Sequence, residues 1–181
     1  SAQSAIYIIL SALTRLIAPI LAFTSEEIWA AMPHLSDDDA ESVLFNDMPK
    51  VVALPTDEGF ISKWDKIHQV RDEVNKALEL KRNEKMIGKS LEAKVILFSS
   101  GELSLFLKEV KDELKDAFIV SQVELAEGNG EINSELEGLS ITVAKADGNK
   151  CERCWQYSTT VGNCAEHPTL CARCAKVVAG E

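Results

Sequence analysis

The sequence predicts an α+β chain in three parts: a helical segment over residues 1–90, a small β-α-β-β subdomain over 91–147, and a four-cysteine finger over 148–181. Three observations predict it. Apolar residues recur at helical spacing up to about residue 85. They alternate around residues 93–99 and 139–146, as in half-buried strands. The chain then closes on two Cys-x-x-Cys pairs. A length of 181 residues suits one compact domain or two small ones, and a 46% apolar share is that of a globular chain.

Ile6, Ile9, Leu10, Leu13, Leu16, Ile17, Ile20 and Leu21 line one side of a first helix, which Pro19 kinks or splits. The stretch from Ala5 to Phe23 is apolar apart from Ser, Thr and Arg15. With Arg15 in its middle, Pro19 behind it and no basic segment before it, it fits neither a membrane span nor a signal peptide. A buried amphipathic helix and no membrane partner are expected. Thr24-Ser25-Glu26-Glu27 reads as a cap with acids in a first turn. The short helix it opens runs through Ile28, Trp29 and Met32 to Pro33. His34 to Glu41 reads as an acidic solvated loop, and residues 43–59, punctuated by proline, as an extended connection.

Trp64, Ile67, Val70, Val74, Ala77 and Leu78 then form one apolar stripe. That helix should run to about Lys85, with Gly88 ending it. Ala93 to Ser99 reads as a strand. Glu102 to Lys115 reads as one amphipathic helix, and Phe118 to Leu125 and Leu139 to Ala146 as strands, with a turn at Gly128-Asn129-Gly130 between them. This unit is too small for a nucleotide-binding α/β domain.

Cys151-Glu-Arg-Cys154, sixteen residues, then Cys171-Ala-Arg-Cys174 fits the two-knuckle zinc pattern. A two-residue gap lets both thiolates of a tight turn face one point, and zinc takes four ligands tetrahedrally. One structural zinc per chain is expected on Cys151, Cys154, Cys171 and Cys174. The tail has too few apolar residues for a core, so metal binding should supply its folding free energy. Cys164 and His167 are a rival pair of the same gap and are expected to stand outside the shell. A redox dithiol would need a single Cys-x-x-Cys beside a strand. Five cysteines, four of them in metal spacing, point to a reducing, cytoplasmic setting. Trp155 is expected to pack as a lid on the site.

The net charge is −10 and unevenly placed: −7 over 1–60, +3 over 61–98, −7 over 99–147 and +1 over 148–181. This balance excludes electrostatic coating of nucleic acid or anionic membrane. A polyanion should meet the two islands. In the first, Lys81, Arg82, Lys85 and Lys89 would form a basic ridge, with Glu79 and Glu84 partly neutralising it. In the second, Arg153 and Arg173 either compensate the thiolates or contact phosphate. Gly88-Lys89-Ser90 is not a phosphate loop, because the required glycine five positions earlier is Asn83. His34, His68 and His167 join no acid–base constellation, so no catalytic residue is assigned.

Leu16-Ile-Ala-Pro-Ile-Leu-Ala-Phe-Thr-Ser-Glu-Glu-Ile-Trp29 resembles the last part of the helical anticodon-binding domain of class I aminoacyl-tRNA synthetases. Val70-Arg-Asp-Glu-Val-Asn-Lys-Ala-Leu78 and Ile87-Gly-Lys-Ser-Leu-Glu-Ala-Lys-Val95 are similar to the helix and strand that follow it in the isoleucyl and valyl enzymes. Cys151-Glu-Arg-Cys-Trp155 with Cys171-Ala-Arg-Cys174 resembles the C-terminal zinc finger of bacterial-type isoleucyl-tRNA synthetases. The resemblance implies a tRNA-positioning region of an ATP-dependent ligase, with the tRNA for isoleucine and the remaining synthetase domains as partners, and a monomer. It casts Lys81, Arg82, Lys85, Lys89, Arg153 and Arg173 as tRNA contacts. The His-Ile-Gly-His and Lys-Met-Ser-Lys-Ser signatures of the catalytic domain are absent from these residues. Two other readings stay open: a zinc adaptor that binds protein, and a DNA binder, since formamidopyrimidine-DNA glycosylases carry a similar finger.

Overall fold

The computed structural model describes residues 2–51 and 57–180. It divides into two compact units, Ser1–Pro55 and Thr56–Glu181. The first holds α1 (Ala2–Ile17) and α2 (Ala22–Ala31). The split at Pro19 is as expected, but α2 starts a turn earlier than the Thr24-Ser25 cap predicts. The amides of Ile20 and Leu21 both bond to the Ile17 carbonyl, at 2.9 and 2.8 Å, and this turn restarts the helix directly. Ser25 is thereby inside α2 and buried. The core here is small: Ala18, Trp29 and Val43.

Three expectations for this unit are corrected. The α1 stripe is not covered by its own unit: Ile6, Ile9, Leu13 and Leu16 are exposed. The acidic loop is not simply solvated, because Asp38 turns inward to pair with Arg15. Burial works against its charge, but the Leu35 N–H and the Arg15 guanidinium outweigh it and hold the carboxyl below its usual range. The Trp29 indole N–H donates to the Asp39 carbonyl at 3.0 Å. A 3-10 turn at Val43–Phe45, capped by Ser42, interrupts the expected extended connection. Residues 52–56 of that connection lie outside the described residues.

The second unit opens with α3 (Glu58–Asn83), capped by Asp57, whose carboxylate accepts the Gly59 N–H. Its stripe of Ile67, Val70, Val74, Ala77 and Leu78 is buried, and it packs on a sheet. This helix therefore belongs to the second compact unit, where the sheet covers its stripe.

The sheet has four strands in the order β2-β1-β4-β3. They are β1 (Ala93–Ser99), β2 (Gln122–Ala126), β3 (Ile132–Asn133) and β4 (Leu139–Lys145). β2 runs parallel to β1, and β4 antiparallel, with Val95 opposite Val143 and Leu97 opposite Ile141. These four residues join the α3 stripe and Leu107, Val110, Leu114 and Phe118 in one core. The predicted single crossover helix is two, α4 (Gly101–Glu109) and α5 (Lys111–Phe118), broken at the buried Val110. Phe118 ends a helix rather than opening a strand.

Two helices end on left-handed non-glycine residues, Lys85 (φ 59°) after α3 and Ile119 (φ 57°) after α5. In each, the next amide reaches back five residues: Met86 to Lys81 O at 3.0 Å and Val120 to Lys115 O at 3.2 Å. Each turn delivers an apolar side chain to the core just beyond it, Ile87 and Val120 respectively. Burying such a side chain is worth about 1.5–3 kcal/mol, which offsets the roughly 1–2 kcal/mol of a left-handed residue. Lys85, not Gly88, is thus the terminator of α3. The Gly88 N–H instead donates to the Glu92 carboxylate at 2.8 Å.

Candidate metal centre and basic surface

The tail folds as two knuckles. The first is a hairpin of β5 (Asn149–Lys150) and β6 (Tyr157–Ser158). Within it the Cys151 N–H donates to Gln156 O at 2.9 Å, and the Trp155 N–H to Cys151 O at 2.8 Å. The second knuckle places Cys171 at the N-cap of α6 (Ala172–Ala179) and Cys174 in its first turn. Gly148 enters the hairpin with φ 86°, where a Cβ would stand 2.3 Å from the Ser158 carbonyl carbon. Only glycine fits there.

The sulfurs of Cys151, Cys154, Cys171 and Cys174 all lie within 4.8 Å of one another. Cys154 and Cys171 are 3.9 Å apart. Bonds of about 2.3 Å to one tetrahedral ion put sulfurs about 3.8 Å apart, so the donor set fits zinc. Cys164 and His167 stand outside this group, on a separate cavity of about 310 Å³ with Ala172, Ala175 and Lys176.

The surroundings suit a negative cluster. The Cys171 N–H donates to Cys151 Sγ at 3.3 Å. Arg153 Nη1 donates to Cys174 Sγ at 3.7 Å, and the Arg173 guanidinium lies beside Cys154, which strengthens its hold on its proton. Burial pushes the Cys171 thiol up. Burial also acts on Cys151, but the N–H groups of Cys154, Cys171 and Arg153 outweigh it and hold that thiol down. Four thiolates with Zn²⁺ carry −2, and the two guanidinium groups answer that charge.

Trp155 is not the expected lid. Its backbone is left-handed (φ 63°) and the residue is 61% exposed, with Lys150 Nζ 5.8 Å from the ring centre. Val161 and Leu170 cover the sulfurs instead.

One contact was invisible in the sequence. The buried Ser121 donates its hydroxyl to Leu91 O at 2.5 Å and accepts the Tyr157 N–H at 2.7 Å. It thereby fastens the first knuckle to the edge of the sheet.

The predicted basic ridge is shorter than its spacing implies. Lys81 and Arg82 lie on α3, but Lys85 and Lys89 lie past its end. Lys81 is bound to Glu84 at 3.1 Å and Glu131 at 3.3 Å, with its side chain 12% exposed. Arg82 pairs with Glu79 and reaches Ser90 at 3.3 Å. Among the described residues, Lys85 and Lys89 make no ion pair.

Residues 1–97 match the family described as the anticodon-binding domain of tRNA ligase. The chain belongs to that family. Residues 148–177 of this anticodon-binding chain further match a zinc finger found in FPG and IleRS. With the four gathered sulfurs, this makes the metal a single structural zinc, since four thiolates leave no open coordination position. Similar curated proteins include the isoleucine–tRNA ligase of Caldanaerobacter subterraneus, 48% identical over 97% of this chain. Those of Desulforamulus reducens and Bacillus cereus are 50% identical over 98% and 44% over 97%. The chain spans 19% of the length of each of these relatives. Among the described residues, no helix is long and apolar enough to cross a membrane.

Proposed function

We propose that this chain is the tRNA-holding C-terminal region of an isoleucine–tRNA ligase, the enzyme that joins isoleucine to its tRNA with ATP. One observation carries the reading: an anticodon-binding match and a zinc-finger match of the IleRS type follow one another along a single chain. The chain itself supplies no catalytic group. Cys151, Cys154, Cys171 and Cys174 hold the zinc, which fixes the finger's shape and takes part in no reaction step.

Phosphate contacts position tRNA without reading its sequence. Of the six predicted cations, Lys85 and Lys89 are the most available, being exposed and without an ion-pair partner among the described residues. Lys81 and Arg82 must exchange carboxylates for phosphates. Arg153 and Arg173 keep some guanidinium N–H groups beyond those given to sulfur. Trp155, exposed beside Lys150, offers a face on which an unpaired base can stack. The exposed side of α1 packs against other domains of the same synthetase, a cytoplasmic monomer.

Titration of the zinc-loaded chain with the tRNA for isoleucine over a range of salt tests this. Affinity should fall steeply with salt. The pair Lys85→Gln and Lys89→Gln should lower the log–log slope by about two. The chain alone should show no isoleucine-dependent ATP–pyrophosphate exchange. A salt-independent interaction, or none, would favour the protein adaptor; tighter binding of duplex DNA would favour the glycosylase-like reading.

A further inference from the structure

The seam between the first knuckle and the sheet holds a cavity of about 190 Å³. It opens where α5 and the start of β2 meet the β5–β6 hairpin and α6. We infer that this cavity is a phosphate-binding site, with Lys115 as its cation and a backbone phosphate of RNA as its ligand. Taking RNA as the source rests on the proposed tRNA-binding function; the oxyanion chemistry stands without it.

Hydrogen-bonding capacity around this cavity is left unused mainly on the donor side. Most side-chain acceptors around the cavity are already engaged. The Ser121 oxygen takes the Tyr157 N–H, and Thr160 Oγ1 takes the Ala172 N–H at 3.1 Å. Ser158 Oγ takes the Thr160 N–H at 3.1 Å. Gln122 spends both ends of its amide on the backbone of Asp147. Gln156 Oε1 faces Lys115 Nζ at 3.4 Å. An ammonium only donates, so this contact turns the Gln156 amide group the other way, with its two N–H bonds unspent. Every group left over can donate: the remaining Lys115 protons, the Gln156 amide, the spare N–H bonds of Arg173 and the exposed Thr159 hydroxyl, which turns to suit its partner. Among the described residues no carboxylate lines the cavity, and the one anionic group there, the zinc ligand Cys171, belongs to the cluster whose charge Arg153 and Arg173 answer. A site of donors with a cation calls for a ligand of acceptors with negative charge.

Lys115 is also set apart by its partner. Lys63, Lys76, Lys81 and Lys94 each hold a carboxylate. Half-buried Lys115 holds only a neutral amide. The acids of the adjoining cavity do not compete strongly, since Lys94 engages Glu124 at 2.7 Å and Asp147 at 3.0 Å. Asp112, a turn earlier on α5, makes no ion pair with Lys115. Arg173 contributes geometry more than charge, because it already answers the thiolates.

The test uses the zinc-loaded chain, labelled with nitrogen-15, and three probes: inorganic phosphate, a short single-stranded oligoribonucleotide, and the same oligonucleotide with an uncharged methylphosphonate backbone. The side-chain amide of Gln156 and the backbone amides of residues 158–160 report the site. Phosphate and RNA should shift these signals saturably and compete, with RNA the tighter; the uncharged strand should not. Lys115→Gln should weaken both by about tenfold or more, and Lys115→Arg should largely restore them. Bound zinc at one per chain in each variant shows that the finger remains folded. Silence of these amides toward both phosphate and RNA, or undiminished shifts in Lys115→Gln, overturns the site. Shifts with phosphate but not with RNA keep the oxyanion site and overturn its assignment to RNA. Salt-dependent tRNA binding with a silent seam overturns this inference while leaving the proposed function standing.

Discussion

The sheet layer and the zinc finger meet at Ser121, yet they are organised by opposite means. In the first, α3, α4, α5, β1 and β4 send long aliphatic side chains inward, and Ile67, Val74, Val95, Leu97, Leu107 and Leu114 are wholly buried. In the second, the buried centre is sulfur, trimmed by Val161 and Leu170. Water drives the first together. Coordination chemistry drives the second, and water would otherwise leave it unfolded. The contrast shows how a short tail can have fixed geometry without core-building residues. The two regions should therefore answer to different perturbations.

Chelation is the strongest way to break the comparison. Structural zinc sites of this kind carry apparent binding free energies of about 10–16 kcal/mol at neutral pH. Stripping the metal should abolish amide protection across residues 149–179 while β1 and β4 keep theirs. Collapse of both regions together would mean that the sheet depends on the finger. Acid should act in the same direction, since thiolates must be deprotonated to bind, so zinc release should increase as pH falls.

The reverse experiment is a cavity in the sheet. Leu97→Ala removes a wholly buried side chain and should cost about 2–5 kcal/mol in denaturant unfolding. Zinc stoichiometry should stay at one in the folded variant.

A smaller effect sharpens the picture of what fastens loops to the sheet layer. Glu73, buried on α3, accepts from Lys76 at 2.7 Å and from the Glu135 N–H at 2.9 Å. Lys76 first, and then the Glu135 N–H, hold its carboxyl below the ordinary range. Glu73→Gln should cost about 1–3 kcal/mol at neutral pH. Because the folded pKa is depressed, the charge-dependent stabilisation is present above the unfolded carboxyl value of about 4.3 and is lost as pH falls through the lower folded value. The variant and the parent should therefore converge in stability in acid.

Least of all should come from Cys164→Ser. Cys164 stands outside the sulfur cluster, so zinc content should stay at one and stability should move by about 0.5 kcal/mol or less. Loss of zinc here, with retention after Cys171→Ser, would redraw the ligand set.

The same contrast explains what could be read in advance. The four cysteines were legible because metal geometry writes itself into local spacing. The α3 stripe, β1 and β4 were legible because each repeats a period over several turns or alternations. What failed were features set by partners far along the chain. Val110 suits a continuous helix as well as the break it makes. Lys85 carries no mark of a helix terminator, and its left-handed turn is set by where Ile87 must go. Asp38 looks like any loop acid until Arg15, 23 residues earlier, meets it. Glu131 approaches Lys81 from beyond two strands, which is why the basic ridge looked freer than it is. The Trp155 lid failed because Val161 and Leu170, neither in a recognisable pattern, occupy that place.

Gly148 has a consequence for transplanting the finger onto another scaffold. Residue 148 is where a portable module would have to be cut, and any other amino acid at that joint would collide with the backbone of Ser158. Cutting there also strands the Tyr157 amide, whose acceptor, Ser121, stays behind with the donor protein. A recipient must offer a glycine at the entry and an oxygen beneath the hairpin. A host lacking either would still load zinc, since all four sulfurs travel with the graft, but it would display the finger at an undefined angle.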